Sequence, residues 1–249
     1  MKHIFLLFVL FLISLNAQNK NPIISPIFDD LIKSIVADEK YIFDDDNIIL
    51  KVPDFADNPF QVPIYVNGLK IVNAKRLVLF ADYNPISNII DMELEHLLPV
   101  ISTNIKVAQE TPLRALILDD KNIWHVGSIN IKSNGGGCDI SAQSSNSYEY
   151  EKLLGEIKTE LFQKEKGNRI KTSIFHPMET GLIFGTNEFY INSIIIKDKD
   201  KVLANIKSTS VISENPRFIF ESKNKIDNLD IEFTDNDGNI YKAQKKWNI

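Results

Sequence analysis

The sequence predicts a mainly β protein, built as two antiparallel sandwiches with one helix ahead of the first and a second helix between them. Short runs rich in Val, Ile, Leu and Phe recur through the chain, each closed by turn residues. Long helical patterns do not alternate with them, which disfavours a parallel sheet. A serine-rich stretch from Ser141 to Ser147 interrupts the series near its middle and reads as a linker.

In chain order, Ser25-Pro26 supplies an N-cap and a first-turn proline. Phe28, Leu31, Ile32, Ile35 and Val36 then follow the spacing of an amphipathic helix. Strands are predicted at Ile48–Val52, Gln61–Val66, Lys75–Phe80, Ile101–Val107, Leu113–Leu118 and Ile123–Ile131. Asn67-Gly68 and residues 119–122 turn the chain between some of them. Tyr150, Leu153, Leu154, Ile157 and Leu161 recur at helical spacing and predict a linker helix to about Phe162. A second β block follows: Arg169–Phe175, Phe189–Lys197, Val202–Ser210, Arg217–Glu221, Leu229–Thr234 and Ile240–Lys245. The fold class is therefore two immunoglobulin-like antiparallel β-sandwich domains, with an N-terminal helix and a linker helix. The division is 1–17 leader, 18–138 first sandwich, 139–167 linker and 168–249 second sandwich.

Lys2, the apolar run Ile4 to Ile13 and Leu15-Asn16-Ala17 have the layout of a secretory signal peptide. Ten apolar residues fall short of the roughly 20 that span a bilayer, and an uncleaved anchor is the competing reading. Export to a periplasm is the expectation, with no membrane association after cleavage. Removing Lys2 leaves 27 basic against 33 acidic residues, a net of −6. Such a balance carries no footprint for nucleic acid or anionic lipid.

One cysteine, Cys138, stands in the 249 residues, behind Gly135-Gly136-Gly137. An exported chain with a single thiol cannot staple itself, and a leftover thiol points to intermolecular pairing or reactivity. Glycines leave no bulk beside the sulfur, so Gly135, Gly136 and Gly137 read as a flexible strap. Fully extended at ~3.3–3.6 Å per residue, the five residues before Cys138 could carry it roughly 15–20 Å outward. A buried cysteine after a glycine turn is the competing reading. Asp139 places a like charge beside any thiolate, which should raise the thiol pKa.

Catalysis by Cys138 would need a base within reach, and after the leader only His96, His125 and His176 remain. His96 follows Glu93 and Glu95 in a helical-looking, solvated stretch, and His125 sits in a strand where packing is the expected role. Dispersed histidines and one cysteine do not make a zinc site, and Asp44-Asp45-Asp46 lacks calcium-loop spacing. No metal and no cofactor is expected.

His176-Pro177-Met178-Glu179-Thr180-Gly181-Leu182 resembles the opening motif of SoxZ, a subunit of a bacterial sulfur-oxidising carrier. Phe189, Ile191, the segment Ser213-Glu214-Asn215-Pro216 with Phe218 and Phe220, and Asp235-Asn236-Asp237-Gly238 resemble later parts of it. Residues 48–138 resemble SoxY, through Asn84-Pro85, Thr103-Asn104-Ile105-Lys106 and the glycine–cysteine strap. Their order, with a near-terminal Trp247, is similar to fused SoxYZ-like carriers associated with quinoprotein dehydrogenases. The resemblance implies a non-enzymatic carrier that holds a covalent sulfur adduct on Cys138 while other enzymes of thiosulfate oxidation act on it. The implied partners are Sox-type sulfur-oxidising enzymes and c-type cytochromes, or a quinoprotein dehydrogenase. Two departures stand out: Asp139 and Ile140 replace the trailing glycines of Gly-Gly-Cys-Gly-Gly, and the chain continues for 111 residues past the cysteine. An accessory that docks without covalent chemistry is the alternative.

Overall fold

The computed structural model describes residues 20–137, 152–183 and 185–246. The leader, Cys138, Asp139, the serine-rich stretch and Trp247 lie outside the described residues. One helix, α1 (Phe28–Val36), precedes strands β1 (Lys40–Phe43), β2 (Ile49–Lys51), β3 (Val62–Asn67), β4 (Arg76–Ala81), β5 (Asn88–Glu93), β6 (Leu97–Ile105), β7 (Thr111–Leu118) and β8 (Ile123–Ile131). The second half contributes β9 (Ile157–Gln163), β10 (Asn168–Ile174), β11 (Glu179–Thr180), β12 (Glu188–Phe189), β13 (Ile191–Asp198), β14 (Lys201–Ser208), β15 (Arg217–Ser222), β16 (Asn228–Asp235) and β17 (Ile240–Lys246).

The mainly β, immunoglobulin-like class is the one observed, with a departure in how the halves meet. Two facing sheets run through the whole molecule, ordered β1-β8-β7-β4-β5-β14-β13-β16-β17 and β2-β3-β6-β15-β10-β9. The halves are therefore joined edge to edge twice. In the first sheet Ile206 lies opposite Met92 and Ser208 opposite Ile90. In the second, Ile219 lies opposite Ser102 and Phe220 opposite Ile101. A single apolar core fills the space between the sheets, from Ile64 and Leu79 at one end to Phe220 and Phe233 at the other.

Helix α1 forms where the apolar spacing places it, and buries Phe28, Ile32 and Val36. They cover the outer face of the first sheet at Val78, Phe80, Leu116, Trp124 and Val126. Its start differs from the expectation: Ile27 is the N-cap residue, and among the described residues no side chain caps the helix and the Ser25 hydroxyl is buried without a partner. Strand β1, missing from the sequence reading, pairs in parallel with β8, whereas the other pairs of named strands are antiparallel.

Of the predicted linker helix, residues 152–153 are helical and 154–155 form a turn, while Tyr150 lies outside the described residues. Residues 157–163 form β9 instead, with Ile157 to Gln163 paired against β10. Ile157 and Leu161 satisfy a period of two as well as a helical one, and pairing with β10 decides between them. The helical-looking stretch around Glu93 is likewise the end of β5. His96 follows in a half-buried turn rather than on a solvated helix, its N–H donating to Leu203 O and its carbonyl accepting from Lys223 N–H. Its imidazole is held below its usual pKa by desolvation, then by Lys201 and Lys223.

Candidate functional site

The segment that leads to Cys138 leaves β8 at Ile131 and crosses one end of the sandwich. Ser133 pairs in parallel with Ala56, and the Ser133 hydroxyl accepts from the Gly135 N–H at 3.0 Å. The next two amides then dock on the continuation of β6: Gly136 N–H donates to Ala108 O at 2.9 Å, and Gly137 N–H to Val107 O at 3.0 Å.

These contacts correct the reading of a flexible strap. Gly135 and Gly136 have φ of +83° and +88°, which side chains with a Cβ rarely adopt. A Cβ on Gly135 would lie 2.4 Å from Ala108 O, and one on Gly137 only 2.0 Å from Pro59 O. Glycine is needed here because backbone meets backbone without room for a methyl group. Gly137 is buried. The outward reach estimated for an extended strap therefore does not apply up to residue 137. Whatever Cys138 does, it does from an anchored root.

The platform under that root is polar and braced from both halves. Asn84 clamps it, donating from Nδ2 to Lys106 O at 2.9 Å and accepting from the Ala108 N–H at 3.0 Å. Val107 N–H donates to Pro59 O at 2.8 Å, and Lys106 N–H to Val211 O at 2.7 Å. The Ser213 hydroxyl donates to Phe60 O at 2.7 Å, while its amide donates to Asn104 O at 3.0 Å. Lys106 is buried, and its Nζ donates to Ser210 O at 3.0 Å and to Met178 O.

Met178 and His176 form the other side of this junction. Met178 adopts a left-handed φ of +54°, an unfavourable conformation for a residue with a side chain. Its N–H donates to His176 Nδ1 at 3.2 Å, and its sulfur accepts from Ile191 N–H at 3.4 Å. His176 is fully buried against Phe189, ring centroids 4.4 Å apart. Because Nδ1 accepts, the proton sits on Nε2, which faces Asp235 Oδ2 at 3.8 Å, beyond hydrogen-bond distance. Burial pushes the imidazole down to about 4; Asp235 opposes the shift and Lys106 adds to it. The ring is neutral at physiological pH, with no open path to a substrate.

Asp235 is satisfied locally by the Asn239 side chain and the Tyr241 hydroxyl, at 2.9 and 3.0 Å. Desolvation, then Asp235, holds the Tyr241 phenol well above its usual pKa. His125 is a clasp of another kind: Nδ1 lies 2.6 Å from Asp44 Oδ2 and Nε2 3.4 Å from Asp119 Oδ2. Desolvation works against the Asp119 carboxylate, but the Ile123 and Lys121 amides and His125 outweigh it and lower its pKa.

The three glycines and the motif 176–182 thus converge on one junction. Asn84 and Lys106, quoted above only as family residues, turn out to be its braces. Family models match the chain in two consecutive blocks, SoxY, described as sulfur oxidation protein SoxY, over 32–138 and SoxZ, sulphur oxidation protein SoxZ, over 157–246. This chain is a fused SoxYZ-like protein. The SoxZ block begins at the first residue of β9, so that strand belongs to the second half rather than to a linker. No curated protein matches this chain. Among solved structures, the sulfur carrier protein SoxY from Chlorobium limicola f thiosulfatophilum is 18% identical, over 43% of this chain and 96% of that one, with a TM-score of 0.38. A glycosyl hydrolase family 2 member from Bacteroides cellulosilyticus is 10% identical over 80% of this chain and 28% of its own, with a TM-score of 0.22. At these scores neither likeness adds to the assignment.

Proposed function

We propose that this SoxYZ-like protein is an exported carrier that holds a sulfur intermediate covalently on Cys138 and presents it to partner enzymes of sulfur oxidation. The observation that carries the reading is where the SoxY match stops: its last residue, 138, is the chain's sole cysteine. Cysteine sulfur suits the task because mixed disulfides and persulfides form and reverse by thiol exchange. The protein itself turns nothing over; Sox-type enzymes and c-type cytochromes are the partner class. The leader at 1–17 supports a periplasmic location.

The anchored glycines favour a second reading. With Gly135–Gly137 docked, and Asp139 and Ile140 in place of further glycines, less chain is free to enter a partner's active site. A non-covalent accessory of a quinoprotein dehydrogenase would not need it. Intact-mass analysis of protein from its native host separates the two. A carrier shows a mass increment that reductant removes and that Cys138→Ser abolishes together with function. An accessory shows no increment and keeps its function in C138S.

A further inference from the structure

Only one stretch of backbone separates the root of the Cys138 segment from the second half of the chain. Gly137 N–H rests on Val107 O, and the next residue back is Lys106. From that position the buried ammonium reaches across to the carbonyls of Met178 and Ser210. Ser213 makes a parallel tie on the other flank, through Phe60 O, beside the Pro59 carbonyl that closes over Gly137. Neither tie is needed to hold the halves together, because the β5–β14 and β6–β15 ladders already do so.

We propose that Lys106, backed by Ser213, is a positioning residue through which the second half sets the conformation of the carrier root. Lys106 belongs to β6's extension in the first half, but its ammonium donates to two carbonyls of the second. An ammonium carries no acceptor, so a buried one must find carbonyls or carboxylates in fixed directions. Here they come from the turn that holds Met178 in its left-handed conformation and from the loop before Ser213. The link runs as a contiguous series: Met178 carbonyl, Lys106 side chain, the backbone from Lys106 to the Val107 carbonyl, Gly137 amide. A shift of the second-half turns would therefore be felt at the residue before Cys138. The inference takes Cys138 as the carrier thiol, but its test needs no adduct.

The test is amide hydrogen exchange, resolved by NMR on the full mature chain with Cys138 reduced, in wild type, Lys106→Met and Ser213→Ala. The Gly136 and Gly137 amides should exchange about tenfold faster or more in K106M and about threefold faster in S213A. Amides of β13 and β16, deep in the second half, should stay within about twofold of wild type. Alkylation of Cys138 by iodoacetamide should change in the same order across the series. The proposal is overturned if strap exchange is unchanged, or if it rises only in step with β13 and β16, which marks global destabilisation. Should K106M fail to fold, S213A removes only a neutral donor and is judged by the same criterion. A missing sulfur adduct would sink the carrier reading and leave this result standing.

Discussion

Strands β7 and β16 lie in the same nine-stranded sheet, yet their sequences answer to different surroundings. In β7 seven of eight residues are buried, so Thr111–Leu118 is almost continuously apolar. In β16 burial alternates residue by residue, and Asp230, Glu232 and Thr234 face outward. The difference is helix α1, which covers the outer face of the sheet in the first half, while the second half leaves that face to water. A continuous sheet can thus be a buried layer at one end and a solvated one at the other. The residue that makes the covered end tolerable is Arg114. It lies under α1 with 0% side-chain exposure, pairs with Asp82 at 2.9 Å and stacks 4.7 Å from the Phe28 ring. Its remaining donors reach Ile23 O, Asn21 and Ser128.

The comparison breaks most visibly at that arginine. Arg114→Ala leaves the Asp82 carboxylate buried and unpaired and should cost about 3–5 kcal/mol. Urea unfolding measures it, and a loss under about 1 kcal/mol would mean that water or a neighbour takes over the pair.

A buried titratable group of the second half, His176, sharpens the contrast through pH. Its folded value of about 4 lies below its ordinary 6.5, so the unfolded chain takes up the proton first. Stability from the neutral ring is complete above about pH 6.5 and is lost as pH falls toward 4, by up to about 3 kcal/mol. Subtracting the pH–stability profile of His176→Gln isolates this contribution from that of the carboxylates. Coincident profiles between pH 7 and 4.5 would refute the assigned burial.

The smallest effect belongs to the open face. Lys242 pairs with Glu232 at 2.8 Å, but its side chain is 67% exposed. Lys242→Ala should change stability by less than about 1 kcal/mol, and less still at high salt.

How far the sequence shows all this follows the same divide. Strands with clear alternation, such as β16 and β17, and the long β8 were legible because their periodicity has one interpretation. Helix α1 was legible for the same reason. Strand β9 was not, since Ile157 and Leu161 fit two periods and only the partner strand β10 selects one. Strand β1 has four residues, and its pairing with β8 comes from a distant part of the chain. At the candidate site the composition of Gly135–Gly137 was plain but its meaning was reversed. Three glycines in a row signal freedom until the carbonyls of Pro59 and Ala108 are placed against them, and those are brought there by tertiary structure alone. Lys106 was visible as a motif residue, but nothing local says that it is buried or where it donates.

The doubled seam between the halves also has a consequence for biosynthesis. Strand β5 ends at Glu93 and its partner β14 begins at Lys201, 108 positions later. When the first half has emerged from the ribosome, β5 and β6 are exposed edges in two sheets at once, flanked by core residues that have no cover. Such edges invite pairing with other chains. Carrying both halves on one polypeptide delivers the partner edges to the same place in the same molecule, so the interval of exposure is set by the synthesis of one chain rather than by a search for a second subunit.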